Sequence, residues 1–185
     1  RALNPAYQPT YSEESLRHTA EMIPETNYWS HFCGHDQRPI RDLKVLSFFT
    51  ALENLSLHRL EVADISPLLE LPKLRILNFG SFSCEDLGPL GRLTQLRELT
   101  LELLANWPAL AGLENLSQLD MLSLKGNLLA FAHGLAWPNV RRGALLCEPL
   151  AARNVRDLPQ LPACEFLTLS GIERLDGIAA FTRLR

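Results

Sequence analysis

Residues 62–83 read VADISPLLELPKLRILNFGSFS, and residues 84–105 read CEDLGPLGRLTQLRELTLELLA. Written one above the other, the two segments carry apolar residues at the same positions, which step by three along the chain and then once by two. The step of two joins Leu77 to Phe79 in the first segment and Leu99 to Leu101 in the second. The pattern therefore predicts a repeated structural unit of 22 residues.

The same unit continues in both directions along the chain. Equivalent positions follow one another at intervals of 22, 22, 23, 21 and 24 residues, and they are Leu55, Leu77, Leu99, Leu122, Gly143 and Leu167. The chain contains 39 leucines in 185 residues, which indicates that one packing solution is used repeatedly. A single unit cannot bury its apolar side chains alone, so we expect the units to stack on one another.

The spacing excludes an amphipathic helix. Each helical residue turns by about 100°, so an apolar stripe that steps by three drifts by about 60° per step and soon circles the helix. The step of two is instead a strand signal, because alternate side chains of a strand share a face. We therefore expect each unit to hold a short strand at its L-x-L segment and a segment with about three residues per turn opposite it.

This pattern resembles that of the leucine-rich repeat family, whose units contain L-x-x-L-x-L-x-x-N. Residues 62–68 and 84–90 are also similar to the 22-residue class typified by bacterial internalins, which suggests a bacterial source. The resemblance covers residues 40–184 and implies an α/β solenoid, a right-handed superhelix with a short parallel β-sheet on its concave face and 3-10 or irregular turns on its convex face. At the family's Asn position the chain has asparagine only at Asn127, so we expect tighter or less regular convex turns.

The chain is expected to have two regions. Residues 1–39 contain four prolines and few leucines, and we expect them to form an N-terminal cap with a short helix and an irregular segment. Thr10 and Glu13 have the spacing of a capping box at the start of that helix. Cys33 lies 22 residues before Leu55, which predicts a strand that includes Cys33.

Residues 40–185 are expected to form about six repeats. Ile178, Phe181 and Leu184 begin a further unit, which predicts that the C-terminal end is truncated. The chain begins at Arg1 rather than at a methionine, so a secretion signal upstream stays open.

The charge balance excludes some classes of partner. The chain has 18 Lys and Arg against 21 Asp and Glu, a net charge of −3, so no strong basic field argues for nucleic acid or an anionic membrane. No apolar run approaches the roughly 20 residues of a membrane span. We therefore expect a protein partner and no nucleic acid, membrane span or small-molecule substrate.

The sequence contains none of the common catalytic motifs, such as G-x-S-x-G, H-E-x-x-H or the phosphate-binding G-x-x-x-x-G-K-[ST]. Four aspartates each precede an apolar position of the repeat, where a carboxylate caps the first amides of a short helical turn; they are Asp42, Asp64, Asp86 and Asp157. We therefore interpret them as structural, and we predict a non-enzymatic protein without a cofactor.

The sequence holds one weak metal motif, in which His31, Cys33 and His35 alternate along the predicted cap strand. Zinc accepts both residue types, but this spacing is unlike that of structural zinc sites, so a packed strand is the preferred interpretation. The four cysteines form no C-x-x-C pair, and we interpret them as reduced thiols of a cytoplasmic protein; they are Cys33, Cys84, Cys147 and Cys164.

The residues between the buried leucines of each strand are predicted to point outward and to form the binding face. The candidate contact residues of that face are Asn54, His58, Ile76, Asn78, Glu98, Thr100, Glu102, Met121, Lys125, Arg142, Phe166 and Thr168. Ile76, Met121 and Phe166 share one column, and large apolar side chains there are typical of binding anchors with a polar surround.

We therefore predict a recognition module that binds a partner protein on the concave face. Two alternatives stay open: the substrate-recognition part of a larger bacterial effector of the ubiquitin-ligase type, and a surface adhesin. The first is suggested by Leu158-Pro-Gln-Leu-Pro162, which resembles the Leu-Pro repeats of such effectors but occurs once. The second requires a signal peptide upstream and an anchor downstream. A toxin-neutralising immunity protein is compatible with a small cytosolic binder, but no residue specifically supports it.

Overall fold

The computed structural model describes residues 28–31, 43–58, 61–84, 86–103, 110, 112–127, 134–147 and 152–185. Within these ranges the strands are Tyr28–His31 (β1), Asn54–His58 (β2), Glu61–Val62 (β3), Ile76–Cys84 (β4), Glu98–Leu103 (β5), Met121–Gly126 (β6), Arg142–Cys147 (β7), Ala152–Asn154 (β8), Phe166–Ser170 (β9) and Ile172–Arg174 (β10). The 3-10 helices are Lys44–Phe48 (η1), Ser66–Glu70 (η2), Gly88–Arg92 (η3), Leu113–Asn115 (η4), Val155–Asp157 (η5) and Ile178–Ala180 (η6).

The strands stack in parallel, with one strand of the long sheet in each repeat and the short strands β3, β8 and β10 in addition. The main sheet has the order β1-β2-β4-β5-β6-β7-β9, with β3 beside β4, and β8 pairs with β10 in a second sheet. Equivalent residues of successive repeats are direct partners, and the central row is Leu55, Leu77, Leu99, Leu122, Gly143 and Leu167. The alignment read from the sequence is therefore the register of the sheet.

The apolar steps of three correspond to a chain of three-residue turns. In the second repeat the amide of Leu68 bonds to Ile65 O, that of Leu71 to Leu68 O, and that of Leu74 to Leu71 O, at 3.0, 3.1 and 3.2 Å. Side chains three residues apart in such turns lie above one another, so all of them reach the same interior. The leucines and isoleucine at these positions are almost completely buried.

Two registers differ from the prediction. Trp29 of β1, and not Cys33, is the partner of Leu55, because the connection from β1 to β2 is four residues longer than a repeat. The 22-residue period would pair Phe82 with Leu104. On β4 an extra residue lies between Phe79 and Phe82, so Phe82 pairs with Leu103 instead. Ser81, inside this bulge, has a φ of +50°.

Aspartates fix the starts of two of the 3-10 helices. The Oδ1 atom of Asp64 accepts a hydrogen bond from the amide of Ser66 at 2.8 Å, and that of Asp86 from the amide of Gly88 at 2.7 Å. The hydrogen bonds from Ser66 also lower the pKa of Asp64. The structural role predicted for these aspartates is confirmed at both positions. Asp157 instead accepts from the amide of Asn154 at 3.2 Å, and Asp42 lies outside the described residues.

Gly143 occupies a core position that is leucine in the other repeats. A Cβ atom there would lie 2.7 Å from Leu161 Cδ1 and 3.1 Å from Leu167 Cδ1, so neighbouring leucines fill the space of the missing side chain. Trp137 replaces a smaller apolar residue in the same repeat, and its indole N–H donates to Leu113 O at 2.9 Å. The less regular repeat is therefore packed by compensating changes in residue size.

Burial decreases towards the last described repeat. Leu167 and Leu169 of β9 are only partly buried, whereas the equivalent leucines of β5 are fully buried. Leu175 and Leu184 are 63% and 37% exposed. The expected helix of the N-terminal cap lies outside the described residues. No helix in the described ranges is long and apolar enough to cross a membrane.

Candidate functional site

The strand residues that alternate with the buried leucines form what we call the outer face of the sheet. Its first column contains Asn54, Ile76, Glu98, Met121, Arg142 and Phe166, each the direct partner of the next. The second column contains Ser56, Asn78, Thr100, Ser123, Ala144 and Thr168 in the same register. Neighbouring strands lie about 4.8 Å apart, so each column is a continuous row of side chains.

Large apolar side chains interrupt the polar surface of the first column. Phe166 is 57% exposed, and Ile76 and Met121 are half-buried. These residues lie on β4, β6 and β9 and so span most of the sheet. Since the leucines on the opposite side of the strands already form the core, the exposed ring of Phe166 is left available for contact with another molecule.

A network of charged side chains crosses the strand that carries Met121. The Nη2 atom of Arg142 donates to Glu98 Oε1 at 2.9 Å and to Asp120 Oδ2 at 3.0 Å. The Nε atom of Arg141 lies 3.1 Å from Asp120 Oδ1. The hydrogen bonds that Arg142 donates to Asp120 and to Glu98 raise its pKa. Arg142 is thus held beside the apolar residues in one orientation.

The third column is split by the bulge of β4. On one side His58 is the partner of Gly80, and on the other Glu102 is the partner of Lys125, with which it forms an ion pair. The imidazole of His58 lies where a side chain at position 80 would be, because a Cβ atom there would be 2.1 Å from His58 Nδ1. Glycine at position 80 therefore leaves the space that the ring occupies.

Burial lowers the pKa of His58, and the nearby charge of Glu102 opposes this effect without cancelling it. The Nε2 atom of the ring lies 3.3 Å from Ser56 Oγ. Burial thus disfavours the charged form of the imidazole at this position.

Asn54 begins the first column next to β1. Its side-chain Oδ1 atom is buried without a hydrogen-bond partner in the described part of the chain. An acceptor that is buried without a hydrogen bond is costly to the folded state.

All twelve residues predicted for the binding face lie on the outer face, and the register brings them together in three adjacent columns. Sequence analysis missed Asp120, which orients both Arg141 and Arg142. Asp120 precedes β6 and lies outside the alternation of the strand, so the pattern gave no signal for it.

The predicted metal motif is largely untested, because Cys33 and His35 lie outside the described residues. Among the residues that are described, no group of three or more His, Cys, Asp and Glu side chains could hold an ion. Cys84, Cys147 and Cys164 are buried thiols without a disulfide, and burial raises the pKa of Cys147 to about 11.

The parallel stack of the repeats and its long outer face define the class of the fold, which is a leucine-rich repeat solenoid. The solved structures that it resembles include two internalins of Listeria monocytogenes. Internalin InlF is 20% identical with a TM-score of 0.54, over 88% of this chain and 54% of that chain. Internalin C2 is 17% identical with a TM-score of 0.60, over 91% of this chain and 71% of that chain.

This chain therefore spans about half of the length of the internalin InlF structure. No protein-family model matches the sequence, and no curated protein matches it. The similarity to the two internalins is thus a similarity of fold.

Proposed function

We propose that this chain is a non-enzymatic recognition module that binds a partner protein through the outer face of its sheet. In this proposal the outer face is the concave side of a right-handed superhelix, and the 3-10 helices form the convex side. Solenoids present extended concave surfaces of this kind for binding, which supports the proposal by analogy of fold. The proposed contacts are the twelve residues that the sequence analysis predicts for the binding face.

The single observation that carries the proposal is the exposed ring of Phe166 in line with Met121 and Ile76. Phe166 is 57% exposed on a strand whose other side faces the core. A buried aromatic anchor surrounded by polar contacts is the usual source of binding energy in protein interfaces. A partner that covers Phe166 and Met121 would gain apolar burial there.

The charged network supports the same proposal. Arg142 already holds two carboxylate partners, so its side chain loses little conformational freedom when a partner binds beside it. Fixed charges next to apolar anchors also favour one orientation of the partner over others.

We further propose that the module works in a reducing compartment such as the cytoplasm. Cys84, Cys147 and Cys164 are buried thiols, each in a different repeat. Unpaired buried cysteines are typical of proteins that fold without an oxidising environment.

The proposal is tested by affinity capture from the source cells with the intact protein, followed by mass spectrometry. The captured protein is then tested against a variant that combines Ile76→Thr, Met121→Thr and Phe166→Ser. We expect this variant to lose the captured protein, because all three apolar contacts are replaced by polar side chains. Circular dichroism should stay the same as for the unmodified chain.

The matched control is Leu175→Ser, which removes another exposed apolar side chain but not one of the outer face. The control should retain the captured protein. Equal retention by the triple variant and the control would overturn the proposal that the outer face is the binding site.

A further inference from the structure

The turns that precede the strands form a second continuous surface, which we call the pre-strand flank. Its central row consists of the residues just before the strands β2, β4, β5, β6, β7 and β9, followed by Arg185. From the second member of the row onward, the amide of each residue donates to the carbonyl oxygen of the preceding member at 2.8–3.0 Å. In order, this row is Glu53, Arg75, Arg97, Asp120, Arg141, Glu165 and Arg185. Its side chains are therefore about one strand spacing apart, like those of the outer face.

Most of the acidic groups in this row are already neutralised. Asp120 is paired with Arg141 at 3.1 Å and with Arg142 at 3.0 Å, and Glu165 is paired with Arg185 at 3.2 Å. Glu53 is the remaining carboxylate, and it is half-buried.

Four cations of the pre-strand flank are left without an ion pair in the described part of the chain. They are exposed, and they are Lys73, Arg75, Arg97 and Arg183. Arg75 and Arg97 occupy neighbouring positions in the row, where their like charges repel each other. An anionic group placed between them would relieve this repulsion and could accept from both guanidinium groups.

An open groove of about 580 Å³ extends the same surface towards the C-terminal repeats. Its walls come from the turns before β6, β7 and β9 and from the segment after η6. They include Gln118, Pro138, Asn139, Arg141, Pro162 and Arg183. The two prolines provide apolar surface, and the arginines provide positive charge. Asp120 also lines the groove, but its charge is balanced by two arginines.

We infer that the pre-strand flank binds an acidic, extended segment of a partner protein, with its carboxylates on Arg75, Arg97 and Arg183 and its apolar side chains against the prolines of the groove. The inference rests on the proposed function, since it names the chemistry of a partner of the same recognition module. It concerns a different surface, so the two can be tested separately.

The charge distribution favours an acidic protein segment over a nucleic acid. The chain as a whole carries −3, and the turns that follow β3 and β4 expose Asp64 and Asp86. A long polyanion would be repelled by this field, whereas a short acidic segment contacts only the flank.

The test measures the affinity of the purified chain for a short fluorescein-labelled polyglutamate peptide by fluorescence anisotropy. We expect binding that weakens as salt is added, because the contacts are exposed charge pairs. The double variant Arg75→Gln, Arg97→Gln should bind about tenfold more weakly, as expected for the loss of two such contacts.

The matched control is the double variant Arg92→Gln, Arg174→Gln, which changes the net charge equally at exposed arginines of η3 and β10. It should bind the peptide like the unmodified chain. No binding by the unmodified chain, or equal weakening in both double variants, would overturn the inference.

Two further measurements separate the alternatives. In the first, a labelled oligothymidylate is compared with polyglutamate. If the oligothymidylate binds more tightly, and if the Arg75→Gln, Arg97→Gln variant loses that binding, the flank is a nucleic-acid site and the inference is wrong. The outer-face triple variant should keep its peptide affinity, and the flank variant should keep the proteins captured through the outer face. Failure of one proposal is thus distinguishable from failure of the other.

Discussion

His58 illustrates how single residues of this chain depend on a neighbour one repeat away. Its ring occupies the space that glycine leaves at position 80, and burial there lowers its pKa. The unfolded chain therefore binds a proton at this site more readily than the folded chain. The contribution of His58 to the stability of the fold is fully present above its ordinary pKa of 6.5. It is lost as the pH falls from that value through the lowered pKa.

We expect urea midpoints of the unmodified chain to fall when the pH is lowered from about 7.5 to about 5.5, across the usual range of histidine titration. In His58→Gln this pH dependence should be weaker, since the variant lacks the group that is harder to protonate in the folded state. The other histidines are present in both proteins, so their contribution to the pH dependence is the same in both. An identical pH dependence in the two proteins would contradict the assignment of the effect to His58.

At the level of the structural element, each repeat joins one strand to a series of three-residue turns. Leu99 lies in β5 and is fully buried between equivalent leucines of β4 and β6, so it belongs to the cores of two neighbouring interfaces. The apolar side chains of the strand, spaced by two, and those of the turns, spaced by three, pack in the same interior. The strand and the turns of a repeat therefore stabilise each other.

We expect Leu99→Ala to lower the free energy of unfolding by about 2–5 kcal/mol, the usual effect of a cavity in a packed core. Leu175→Ala should change it by less than about 0.5 kcal/mol, because that side chain is 63% exposed. Urea unfolding of both variants is the measurement. A similar loss in the two proteins would show that burial in the stack is not the source of stability at Leu99.

The molecule as a whole is stabilised by contacts between successive repeats, so its stability is expected to vary along the stack. The central repeats have neighbours on both sides. The last described repeat, which contains β9 and η6, has a neighbour on one side only among the described residues, and its leucines are partly exposed.

Hydrogen exchange followed by mass spectrometry should therefore show faster exchange of amides in β9 and β10 than in β5 and β6. Local opening is easiest where few apolar side chains must be exposed. Equal protection of these strands would mean that the whole stack opens as one cooperative unit.

Much of the fold follows from the sequence, because the spacing of the apolar residues is a local property that recurs in each repeat. The interior positions, the parallel stacking and the columns of the outer face all follow from this period, and the strand pairing from β2 to β9 confirms the alignment. The role of those columns in binding stays a prediction.

Other features arise only when the coil closes and repeats touch. The longer offset between β1 and β2 and the bulge of β4 are departures from the period. The fit of His58 over Gly80 depends on the space between two repeats. The coupling of Asp120 to Arg141 and Arg142, and the excess positive charge of the pre-strand flank, depend on which long side chains meet across the turns. Periodicity determines the path of the backbone, but Asp120 and its two arginines are more than twenty residues apart in the chain. Only the stacked structure brings their charged atoms to 3.0–3.1 Å from each other.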